Sequence, residues 1–153
     1  AEWGEDKTWE LFDKLFDNGM IVQGANGPAL DQVTSGSKGI VFGGVDYSAY
    51  SAKGKGEPLE VVIPSSGTTV TPRPVMIMKS SDNMDAAKAF VDFMFSEEAQ
   101  QISASKNMIP SNKNVDPKNG PKLAEINQIS DDWAAISKES KNVREQFADR
   151  YLK

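Results

Sequence analysis

A chain of 153 residues with 39% hydrophobic and 25% charged side chains holds enough apolar material for one packed domain and is unlike a disordered tail. Its 17 basic and 22 acidic residues leave a net charge of −5, which repels a phosphate backbone and argues against nucleic acid as a partner. Cysteine and histidine are both absent, and with them go disulfides, thiol nucleophiles, Cys/His zinc centres and any serine–histidine triad.

Carboxylates, hydroxyls, lysine, arginine and tyrosine remain, a set better suited to holding a ligand than to transforming one. No catalytic residue, cofactor or metal is expected. No apolar run approaches the ~20 residues of a bilayer span. The acidic start AEWGEDKTWE lacks the basic and apolar regions of a signal peptide, which fits a cytosolic protein, a processed one, or a piece of a longer chain.

In chain order, DKTWELFDKLFDNG sets Trp9, Phe12, Leu15 and Phe16 at helical spacing, and Asn18-Gly19 stops the helix. GMIVQGANG reads as a buried strand running into a loop. GPALDQVTSG reads as a helix with Pro28 in its first turn and Gly36 past its end. KGIVFGGVDY is apolar on both faces, as a central strand would be. SAYSAKGKGEP is a loop or short helix, LEVVIP a strand, SSGTTVTPRP a connector and VMIMK a further strand. In KSSDNMDAAKAFVDFMFSEEAQQ, Ala86, Ala87, Phe90, Val91 and Met94 form one apolar stripe. Asp82 or Asn83 can cap that helix, and Ser96 with Glu97-Glu98 can start the next. The last helix, near KESKNVREQFADRYLK, sets Val143, Phe147 and Tyr151 on one face. Strands alternating with helices predict an α/β class: a mixed sheet flanked by helices, with a helical C-terminal region.

Three loops carry the groups that could hold a ligand. Gly24, Asn26 and Gly27 lie where a strand gives way to a helix N-terminus, whose free N–H groups and dipole suit an anion; an ordinary glycine-rich turn is the other reading. Asp46, Tyr47 and Ser48 follow the central strand and offer an acceptor, a ring and a hydroxyl. Ser65, Ser66 and Thr68 surround Gly67 as donors for phosphate or carboxylate oxygens, or as a capped turn. Arg73, between Pro72 and Pro74, could pair with an anion, although most such arginines are plain surface residues. These groups favour a small anion, with a phosphate or phosphonate group, as ligand.

The segment TPRPVMIMKSSDNMDAAKAFVDFMFSEEAQQISASKNMIP resembles the lobe-crossing segment of bacterial extracellular solute-binding proteins, the two-lobed receptors of ABC importers, in the branch that includes the ferric-iron binders. GPALDQVTSGSKGIVFGGVDYSAY resembles that family's ligand-facing helix–strand unit, and together the matching parts cover most of residues 7–112. The resemblance implies part of a type II periplasmic-binding-protein fold, its C-terminal half. Residues 1–69 would then belong to the second lobe, residues 70–107 would cross to the first, and residues 108–153 would form a helical return. It implies capture of a solute outside the cytoplasm, in the periplasm or on a lipid anchor, for delivery to a membrane permease. A ferric-iron receptor and a non-catalytic interaction module are the alternatives. The iron branch has two adjacent tyrosines near this position, where Tyr47 and Tyr50 are here separated by Ser48-Ala49, so iron is expected not to be the ligand. A half-receptor would expose its lobe-core stripe, so a homo-oligomer through residues 70–107 is expected.

Overall fold

The computed structural model describes residues 3–129 and 132–153. Among these residues the regular structure is helical: α1 (Glu5–Asp17), α2 (Asn26–Thr34), α3 (Asp46–Gly54), α4 (Met84–Met94), α5 (Glu97–Ser105) and α6 (Trp133–Tyr151), with a 3-10 turn at Leu123–Glu125. The chain divides into two compact units, one made from its two ends (up to Val22 and from Gln128 onward), the other from Gln23–Asn127.

The first unit is α1 and α6 joined by rings. α1 stops at Gly19, which takes φ 81° and lets the Gly19 and Met20 amides reach back to the Phe16 and Leu15 carbonyls, both at 2.9 Å. α6 starts on Asp132, whose carboxylate accepts from the Ala135 amide. Phe16 stacks on Tyr151 with centroids 4.3 Å apart, Phe147 meets Phe12 edge-on at 5.4 Å, and Trp9 is buried beside them. Tyr151 donates to Asp13 at 2.5 Å, and the Arg150 guanidinium lies 4.7 Å from the Trp9 ring. Val143, placed by sequence on the same face as Phe147 and Tyr151, is exposed. Phe147 is half-buried and touches three rings of this cluster. Phe147→Ala should therefore cost about 1–3 kcal/mol, read from the urea midpoint; a loss below about 0.5 kcal/mol would show that this cluster does not hold the unit together.

In the second unit the best-tied part is the α4–α5 junction. Asn83 caps α4 by accepting from the Ala86 amide, and Ser96 caps α5 by accepting from Ala99, as their residue types predict. The Gln100 side chain donates to the Met94 carbonyl and accepts from the Ser111 amide, while Asn112 donates to the Phe95 carbonyl. Orphan carbonyls at the end of α4 are thereby satisfied and the following loop is laid over the junction. Of the apolar stripe on α4, Ala87, Val91 and Met94 are half-buried, whereas Ala86 and Phe90 stand exposed.

The helical half of the α/β expectation is present. The runs expected as strands, near Ile21-Val22, Ile40–Phe42, Leu59–Ile63 and Val75–Lys79, carry no strand among the described residues. A strand needs a neighbour for its backbone groups, and a central one needs cover on both faces. Here Ile40 is 83%, Val62 79% and Met76 72% exposed, so these runs lack that cover.

Candidate ligand-binding site

The N-termini of α2 and α3 differ from those of α4, α5 and α6. The residues before them are Ala25 and Val45, and neither places a side chain on the first-turn amides. Those N–H groups are left to solvent or to a ligand. Gly24, Asn26 and Gly27 sit at the exposed start of α2, and Asp46, Tyr47 and Ser48 form the half-buried first turn of α3.

Tyr47 and Ser48 line a groove of about 420 Å³ together with Leu30, Asp31 and Thr34 of α2 and Lys55 and Lys106. The groove thus draws on the later turns of α2; Gly24, Asn26, Gly27 and Asp46 are outside its lining. The Ser65–Thr68 turn is held elsewhere. The Asn127 side chain donates to the Ser65 carbonyl at 3.2 Å, and the Thr68 amide donates to the Asn127 carbonyl at 2.9 Å. Arg73 is the residue that sequence reading set to one side and the structure brings in. Its Nη2 donates to Tyr47 Oη at 2.8 Å, with the guanidinium carbon 4.9 Å from the ring centroid. The two residues are 26 apart in sequence, and no local pattern could have paired them.

Tyr50, one turn along α3, is engaged on a different side. Its ring fits against Gly120 and borders a hollow of about 530 Å³ with Lys55, Lys106 and Lys118. Lys55 and Lys106 are the C-caps of α3 and α5, where a cation complements the negative helix end. The two phenols that could have served an Fe(III) ion therefore make separate contacts, and among the described residues no three carboxylates gather.

Burial, followed by the charges of Asp46 and Glu60, raises the Tyr50 phenol above its ordinary 10.0, and burial with the Asp13 contact raises Tyr151. A tyrosine raised in the folded state binds its proton more tightly there. Its contribution to stability is full below pH 10.0 and is lost as pH climbs through the folded value. Absorbance titration should show late phenolate formation that Tyr50→Phe and Tyr151→Phe each reduce; titration of all tyrosines together at the ordinary value would refute the packing described for both.

A family model described as bacterial extracellular solute-binding protein matches residues 1–138. The chain belongs to that family. A Sinorhizobium fredii protein named as a probable ABC transporter periplasmic-binding protein is 29% identical over 101 residues, which is 66% of this chain and 28% of that protein. An uncharacterised Haemophilus influenzae protein is 31% identical over 103 residues, 66% of this chain and 29% of its own length. The chain thus matches less than a third of the length of either relative. No solved structure matches it. Among the described residues no helix is long and apolar enough to cross a membrane.

Proposed function

We propose that this chain is the ligand-binding part of an extracytoplasmic receptor that captures a small anionic solute, with a phosphate- or phosphonate-bearing compound favoured, and delivers it to an ABC permease. The observation that carries the reading is the family match over residues 1–138. The relative named as a periplasmic-binding protein supports it. The anionic preference draws support from the α2 and α3 N-termini, which no side chain caps, and from the hydroxyls of Tyr47, Ser48 and Thr34 around one groove. Of the residues proposed to meet the solute, Tyr47 and Ser48 line that groove, while Gly24, Asn26, Gly27, Asp46, Ser65, Ser66 and Thr68 lie outside its lining. In the receptor, residues 1–69 belong to the second lobe, residues 70–107 cross to the first, and residues 108–153 return. Closure of the two lobes on the solute is the signal the permease reads. Nothing in this role requires catalysis.

Thermal-shift titration with inorganic phosphate, a phosphomonoester and methylphosphonate tests the reading, with a neutral sugar as control. An oxyanion at ~100 times its dissociation constant should stabilise the chain by ~2.7 kcal/mol. No oxyanion response, or a stronger one to the neutral sugar, sinks the anionic assignment. Ferric citrate should give no phenolate-to-iron colour; a stoichiometric visible band lost in Tyr47→Phe or Tyr50→Phe would restore the iron alternative.

A further inference from the structure

Arg73 pairs differently from the lysines that form ion pairs. Lys14, Lys53, Lys122, Lys141 and Lys153 each meet a carboxylate, whereas Arg73 meets the phenol of Tyr47. Its side chain is exposed, and Pro72 and Pro74 flank it. Pro74 restricts the backbone of Arg73, and Pro72 fixes its own φ, so the arginine projects from a stiff piece of chain. A guanidinium carries five N–H donors. One Nη2 hydrogen is used on Tyr47 Oη and the cation lies over that ring, which fixes the plane of the fork while leaving other donors free to bind.

The ring that fixes the fork is in the first turn of α3, between Asp46 and Ser48. A rigid fork beside a hydroxyl is the arrangement that takes an oxyanion in two parallel hydrogen bonds. The Asp46 carboxylate in the same turn repels a bare anion. It accepts from a hydroxyl, so a solute that carries a donor beside its oxyanion fits better than inorganic phosphate.

We propose that Arg73 is the charge that recognises the solute's oxyanion, with Tyr47 as the residue that positions it. This inference rests on the anion-binding reading above and adds to it a cationic recognition residue. It also joins the site to the chain around Thr69–Pro74.

The test is calorimetric titration of the 153-residue chain with glycerol 3-phosphate and with inorganic phosphate. Arg73→Gln should weaken glycerol 3-phosphate about 10- to 100-fold, Arg73→Lys should restore part of that loss, and Tyr47→Phe should weaken binding about threefold. Circular dichroism and the melting midpoint of each variant, taken without ligand, should match the parent. If the parent binds glycerol 3-phosphate and Arg73→Gln binds within twofold of it, the inference fails while the anion reading stands. Loss of binding in Arg73→Gln together with a lowered melting point and no recovery in Arg73→Lys would make Arg73 a packing residue and overturn the inference. Absence of saturable binding by the parent to either anion overturns the anion reading and this inference with it.

Discussion

Gly120→Ala should lower the stability of the chain by about 2–4 kcal/mol, the largest effect expected of any single methyl group here. Gly120 holds φ at 78°, a conformation that side-chain-bearing residues adopt at a cost of roughly 1–2 kcal/mol. An added Cβ would also lie 2.5 Å from the Tyr50 hydroxyl and 2.9 Å from the ring carbon that bears it, well inside van der Waals contact. Relief would require the Tyr50 ring to leave α3's flank or the loop around Asn119 to retreat. Asn119 is held there by its donation to the Asn107 side chain at 2.7 Å, and Asn107 is buried with φ at 65°. A double-mutant cycle separates the two causes. In a Tyr50→Ala background the steric part should vanish and the conformational part persist, so the cost of Gly120→Ala should fall to about 1–2 kcal/mol in urea unfolding. A cost unchanged by Tyr50→Ala would mean that the close approach of ring and glycine is absent from the protein in solution.

The second large effect concerns self-association. Phe90 is 61% exposed on α4, with Phe93, Phe95, Met76, Met78 and Ile102 also exposed in residues 70–107. Fully burying one such side chain is worth roughly 1.5–3 kcal/mol, so a segment that exposes this many has a strong drive to be covered. We propose that the isolated chain covers it with a second copy through residues 70–107. Light scattering over a concentration series should report a mass that rises toward a dimer or higher species. Replacing Phe90 and Phe93 together by serine should weaken the association by at least about 30-fold, since two partial burials are lost, with α4 retained because its Asn83 cap and its half-buried Ala87, Val91 and Met94 are untouched. A monomer at every concentration, with α4 helical and its phenylalanines accessible to solvent, would show that the exposed face needs no cover and that the stripe is not part of a lobe core.

The local structure was largely legible in the sequence. Helix stops at Asn18-Gly19 and Gly36, the caps Asn83 and Ser96, and the 3.6-residue spacing of Phe12, Phe16, Phe147 and Tyr151 are signals that lie within a few residues of what they control, and the helices appear there. Family membership was legible too: the TPRPVMIMK and AAKAFVDFMFSEEAQQ segments carried the resemblance, and the family's model matches residues 1–138. The class of each element along the chain was less secure where an apolar run depends on neighbours. A run such as Lys38–Phe42 or Leu59–Ile63 has the composition of a strand, yet a strand exists only when another segment takes up its hydrogen bonds, and composition does not say whether that segment is present.

The site shows the same division. The sequence alone chose Gly24–Gly27 for preceding a helix start and Asp46–Ser48 for following a run read as a central strand. The helix start is a local fact, whereas the strand needed a partner and is not formed among the described residues. Tertiary structure decided which of them share a wall. It put Tyr47 and Ser48 against the later turns of α2 rather than against Gly24–Gly27, and tied the Ser65–Thr68 turn to Asn127. It turned Tyr50 onto Gly120 and brought Arg73 across 26 residues onto Tyr47. These are contacts between segments that carry no shared periodicity. A side chain's residue type sets what it can bind, but the path of the backbone between two segments sets what it meets, and only the folded chain fixes that path.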